Sequence, residues 1–153
     1  MIHDTQQSTS FVARELMLKA GKQKVTTVIG IPKEDQAVEK RLALTPETGA
    51  LLVSTGYRVL VQAGAGLTIH YADSYYAESV AEIVDTAEEV YQADLILKIL
   101  PPTLEEVQMM RRRTAVFSFL YIHKLTTPIL KLMAERRIHA VAYELLHEGS
   151  GVS

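Results

Sequence analysis

Residues 29–46, IGIPKEDQAVEKRLALTP, leave an apolar run, cross a charged segment and set Arg41 four residues before Thr45, where a helix is expected to start. A guanidinium so placed can reach a carboxylate held near the helix start and grip it with two parallel N–H groups. The competing reading is a solvated surface charge, which spacing alone favours. His123, beside the apolar run TAVFSFLY, carries an imidazole suited to proton transfer near neutral pH, although a lone histidine there is more often structural or solvent-facing. The histidines at positions 3, 70, 123, 139 and 147 have neither a two-histidine helical spacing nor a facial carboxylate partner, so no metal ion is expected. Gly64 and Gly66 follow a strand-like run, but the sixth position of a G-x-G-x-x-G pattern is Ile69 and no helix follows at once. They read as a tight turn, not a pyrophosphate loop.

Composition narrows the partners. The chain has 153 residues, a formal net charge of -2 and 22% charged residues, so it has the size of one domain and no basic excess for nucleic acid. The basic run at 111–113 lies between a helical and a strand-like segment with no aromatic interleaved, which marks solvated charge. With no cysteine there is no disulfide framework and no thiolate zinc site, and MIHDTQQSTS is too polar for a signal peptide. No apolar run approaches the roughly 18 residues of a membrane span. A cytoplasmic protein with no membrane partner is the expectation.

The elements that must position these side chains alternate strand and helix, the pattern of a mostly parallel, Rossmann-like α/β sheet with helices on both faces. Strands are expected at 25–31, 57–62, 82–84, 94–99, 114–121 and 138–144. Thr45 before Pro46 reads as an N-cap with proline at the first helical position, and Gly56 as the stop. Asp73 is expected to cap a helix through Val80, Thr86 to start another, and Thr103 with Glu106 to form a capping box. Thr127 and Pro128 repeat the cap and proline. Residues 1–24 form an N-terminal extension with a short helix between Ser10 and Lys19, 25–148 the domain, and 149–153, with GSG and no helix after it, a truncated linker. In such sheets ligands gather where strands end and loops lead into helices. Residues 31–45, 99–103 and 120–127 all lie at such ends.

The segment IGIPKEDQAVEKRLALTPETGALLVSTGYRVLVQAGAG resembles the opening of the alanine dehydrogenase and pyridine nucleotide transhydrogenase family, with its G-x-P-x-E, E-x-R-x-A-x-T-P and V-x-x-x-x-G-A-G motifs in order. The likeness continues through AEEVYQADLILKILPP and FSFLYIHKL to IHAVAYELL, covering roughly residues 25–148. It implies that Arg41 holds a substrate carboxylate. It also implies a substrate role for Lys98, which matches the first lysine of the family's K-V-K-E-P. Leu100 takes the place of the second lysine, which in the family's dehydrogenases contacts the keto acid. The family's catalytic histidine follows F-T-x-L, and aligning FSFL puts Tyr121 there with His123 two positions on. Two residues along a strand keep the same face, so His123 is expected to stand in if the strand runs on.

The resemblance thus implies the N-terminal, substrate-side domain of an NAD(P)-dependent amino-acid dehydrogenase of the alanine dehydrogenase type, which oxidatively deaminates an L-amino acid to a 2-oxo acid. In that family NAD or NADP is held by a second domain, so no cofactor is expected on this chain alone and the isolated chain is expected to be inactive. Its partners would be a small 2-oxo or amino acid and further copies of itself in a homo-oligomer. The alternatives are a transhydrogenase-like domain and a non-catalytic α/β ligand-binding or interaction module, since fold does not fix function.

Overall fold

A computed structural model of the chain describes residues 26–79 and 81–146. The expected N-terminal helix and the GSG linker lie outside the described residues. Six strands form one sheet: β1 (Val28–Ile31), β2 (Arg58–Gln62), β3 (Glu82–Val84), β4 (Leu95–Leu97), β5 (Ala115–Ser118) and β6 (His139–Ala142), in the order β3-β2-β1-β4-β5-β6. Every pairing is parallel. The helices between them are α1 (Pro46–Ser54), α2 (Asp73–Glu78), α3 (Ala87–Val90), α4 (Leu104–Met109) and α5 (Thr127–Glu135). None of the described helices is long and apolar enough to cross a membrane.

The inner strands bury both faces, as parallel strands covered by crossover helices must, while β3 and β6 at the edges are more exposed. Along β1, Ile29 and Ile31 point into one core with Val59, Val61, Leu44 and Tyr76, covered by α1 and α2. The opposite core gathers Leu60, Ile96 and Val116 against Val90, Tyr91, Val107 and Met133 from the other three helices. Gly30 lets that second layer close on the sheet. A Cβ there would stand 2.5 Å from the Val90 carbonyl oxygen and 2.9 Å from the Ala93 Cβ, closer than atoms pack.

Local signals set most helix boundaries. Thr45 accepts a hydrogen bond from the Thr48 N–H at the start of α1, and Gly56 ends the turn after it at φ 101°, a conformation glycine adopts without strain. Thr86 with Glu89 and Thr103 with Glu106 form complete capping boxes. Asp73 departs from expectation. Ala72 holds the N-cap position of α2, and the Asp73 carboxylate instead accepts the Gly64 N–H at 2.8 Å, fastening the turn after β2. Thr126 holds the N-cap position of α5, one residue before the expected Thr127, and its side chain makes no capping hydrogen bond.

β3 keeps the expected bounds, but the other strands are shorter than their apolar runs, and β5 shows why. It ends at Ser118 because the Glu144 carboxylate takes the N–H groups of Leu120 and Tyr121, at 3.1 and 2.9 Å. Tyr121 then turns into the left-handed region at φ 41°, and residues 122–124 form a turn of 3-10 helix. The expected alternation from Tyr121 to His123 along a continuing strand is therefore corrected: both residues lie beyond β5, and a shared strand face does not relate them.

Candidate functional site

In an open parallel sheet, the crevice lies at the carboxyl ends of the strands where the strand order reverses. Here that point falls between β1 and β4. The loop after β1 carries Glu34, Glu39 and Arg41, and the loop after β4 carries Lys98 to Pro101. Main-chain and side-chain bonds pin the first loop to the β2 side: Lys33 N–H to Gln62 Oε1 at 2.9 Å, Gln36 Nε2 to the Gly64 carbonyl at 3.0 Å, and Thr68 Oγ1 to the Lys40 carbonyl at 2.7 Å.

Arg41 lies at this edge with its side chain 66% exposed. Its fork is already half used. Nε donates to Glu39 Oε1 at 2.9 Å and Nη2 to Oε2 at 2.8 Å, while the Arg41 main-chain N–H adds a third bond to Oε1. That contact holds the Glu39 carboxyl down at about 2 and raises Arg41. A guanidinium has five N–H donors, and this side-on grip leaves Nη1 and the outer Nη2 hydrogen for another anion. The Tyr121 ring stacks on Phe119 at 5.6 Å between centroids, lies 6.2 Å from the His123 ring and has the Lys124 ammonium 5.2 Å away. Tyr121 and His123 thus neighbour one another, while the side-chain bonds of Arg41 go to Glu39.

Lys98 stands apart from that surface. Its side chain is 2% exposed, and its ammonium sits 2.9 Å from Glu106 Oε2 and 3.9 Å from Glu34 Oε2. The same Glu106 oxygen accepts the Thr103 N–H at 2.8 Å, so the capping residue of α4 is also the counter-ion of a buried lysine. Glu34, itself buried, accepts the main-chain N–H groups of Ile99 and Leu100. Burial pushes its carboxyl up, while Lys98 and those N–H groups pull it back down. The Tyr91 hydroxyl lies against Glu106 without hydrogen-bond geometry, and burial raises the phenol strongly. Tyr143 is raised by its burial and then by Glu34.

Glu34, Glu106 and Tyr91 are functional candidates that sequence reasoning did not single out. A signal was present. A lysine inside LILKIL must find a counter-charge when the strand is buried, because an unpaired interior ammonium costs far more than a paired one. Which carboxylate answers it is decided by contacts that join residues 65 apart in the chain, Glu34 and Ile99.

Among the described residues no group of histidine, aspartate and glutamate could hold a metal ion. Nor do the glycines near the switch point fit a dinucleotide. Gly30 is filled by its neighbours inside β1, and a Cβ at Gly66 would meet the Tyr71 carbonyl oxygen at 2.7 Å.

Residues 30–152 match the family described as alanine dehydrogenase/PNT, N-terminal domain. The alanine dehydrogenase of Bacillus subtilis (strain 168) is 36% identical over 123 residues, covering 80% of this chain and 32% of that protein. That of Methanococcus maripaludis is 34% identical over 119 residues, covering 76% and 31%. The chain therefore spans about a third of the length of the curated relatives it matches. Among solved structures, an L-alanine dehydrogenase superposes with a TM-score of 0.75 at 25% identity, over 82% of this chain and 35% of that one. The transhydrogenase from Sinorhizobium meliloti superposes at 0.73 and 28% identity, over 80% and 36%. With its motifs, its strand order and its relatives in agreement, the chain belongs to the alanine dehydrogenase/PNT family, of which it is an N-terminal domain.

Proposed function

We propose that this chain is the substrate-side domain of an NAD(P)-dependent amino-acid dehydrogenase of the alanine dehydrogenase type, and that Arg41 receives the carboxylate of the L-amino acid or its 2-oxo acid. The observation that carries the reading is the Arg41 guanidinium at the sheet's switch point, oriented by Glu39 and with one edge unspent. Lys98 acts in this reading from beneath, holding the loop after β4, and not as a direct ligand. Tyr121 and His123, in the loop after β5, are the proton-handling candidates of this reading, and the imidazole suits that work better near neutral pH. In this reading the nicotinamide cofactor, NAD or NADP, belongs to another part of such a protein, and the crowding of Gly30 and Gly66 among the described residues supports that assignment. Hydride transfer needs both reactants held in one geometry, so this chain alone should not catalyse it.

Leu100, apolar where the family's dehydrogenases place a lysine, favours a second reading, a transhydrogenase-like domain that binds no amino acid. Calorimetric titration of pyruvate and larger 2-oxo acids separates the two. Weak saturable binding, shifted by NMR to residues 35–45, is expected; absence of binding at millimolar ligand would favour the second reading. Amino-acid-dependent reduction of NAD or NADP by the purified chain would contradict the division of labour proposed here. Exposed Ile122, Leu145 and Leu146 at the carboxyl ends of β5 and β6 are the apolar surface through which a homo-oligomer would form. Sedimentation velocity at high concentration is expected to show more than a monomer.

A further inference from the structure

We propose that Glu34 is the positioning residue of the site: from the loop after β1 its carboxylate holds the main-chain N–H groups of Ile99 and Leu100, and so fixes where the side chain at position 100 stands relative to Arg41. This rests on the carboxylate-site reading given above. The loop carrying Arg41 is tied to the β2 side by three hydrogen bonds that do not involve Glu34. Across the switch point, by contrast, every described hydrogen bond from that loop to the segment after β4 is made by the Glu34 carboxylate. Its two oxygens take successive amides, one each, a geometry that fixes the direction of the chain at residues 99 and 100 as well as its distance. Lys98 stands on the other side of the same carboxylate and is itself held by Glu106 at the start of α4. The segment after β4 is thus clasped from both ends: by Glu34 at its first amides and by the capping box at its last. Pro101 and Pro102 follow at once, and having no N–H they offer the clasp no substitute donors.

The consequence concerns specificity. Position 100 carries leucine in this chain, at the strand end beside the switch point, and the main chain that carries it is held by Glu34. Glutamine in place of Glu34 keeps the shape but can accept with only one oxygen, so one of the two amides loses its partner.

The test is a cycle of four proteins: the parent, Glu34→Gln, Leu100→Lys and the double variant, each checked for native far-UV dichroism. Amide hydrogen exchange at Ile99 and Leu100 is expected to quicken about tenfold in Glu34→Gln while the amides of β1 and β4 keep their protection. Leu100→Lys is expected to tighten pyruvate binding in the parent background and to lose that gain in Glu34→Gln, a coupling that two independent sites would not show. A further variant, Glu34→Gln with Lys98→Met, removes both charges together. Its exchange at 99 and 100 should stay fast if the clamp is what matters, and recovery to the parent's rate would overturn the proposal by showing charge balance to be the cause. Unchanged exchange in Glu34→Gln, or additive effects in the cycle, would overturn it too. If no variant binds an oxo acid, the carboxylate-site reading fails, while the exchange result still decides the role of Glu34.

Discussion

Lys98→Met is expected to lower the stability of the fold by about 3–5 kcal/mol, the cost of leaving buried carboxylates without their cation. Methionine matches the stem of the lysine, so the loss is not one of packing. What remains is Glu34, buried, and Glu106, one-fifth exposed, with no ammonium near either. The pH dependence has a definite sign. Burial already raises the Glu34 carboxyl above its ordinary 4.5, and removing Lys98 takes away the second-largest influence and one that lowers it. A carboxyl whose folded value lies above its unfolded one binds a proton more readily when folded. Stability is then greatest below the unfolded value and falls as the pH rises through the folded one. The variant should be closest to the parent near about pH 4 and furthest from it near neutrality. Urea unfolding at both pH values measures this. An equal loss at each pH, or a loss under about 1 kcal/mol, would mean that water reaches the cluster and screens it.

Arg41→Ala is expected to weaken binding of pyruvate or a related 2-oxo acid about tenfold, with salt reducing the difference because the guanidinium is exposed. Arg41→Lys should restore only part, since an ammonium keeps the charge and loses the planar fork. Glu39→Gln asks what Glu39 is for. As the group that orients Arg41, its loss should weaken binding; were it a resident competitor for the same donors, its loss would tighten it. Because the Glu39 carboxyl is held at about 2, the Glu39–Arg41 contact contributes stability above the unfolded value near 4.5 and loses it as the pH falls through 2. Binding should therefore show no titration of Glu39 between about pH 5 and 8. Calorimetry across the four proteins decides, and equal affinities would make Arg41 a solvated charge.

Much of the scaffold was written locally. Thr45-Pro46, Thr86 with Glu89 and Thr103 with Glu106 mark helix starts because each completes its hydrogen bonds within four residues. Apolar runs separated by helical segments marked a parallel sheet because such strands are buried on both faces. The family motifs likewise lie in contiguous stretches, which is why G-x-P-x-E and E-x-R-x-A-x-T-P could be read directly. Strand ends were not local. The apolar run 114–121 promised a strand through Tyr121, yet Glu144, 23 residues on, takes the amides that would have continued it.

The sequence by itself determined the fold class, the helix caps, the family and the presence of Arg41 on a loop at a strand end, all properties of short segments and their period. Only the tertiary structure decided that Lys98 is buried between Glu34 and Glu106, that Glu39 occupies half of the Arg41 fork, and that His123 leaves the strand. These are matters of which charge meets which. A buried ammonium must be paired somewhere, but the identity of its partner depends on strand order, which brings the loops after β1 and β4 together across 65 residues of chain.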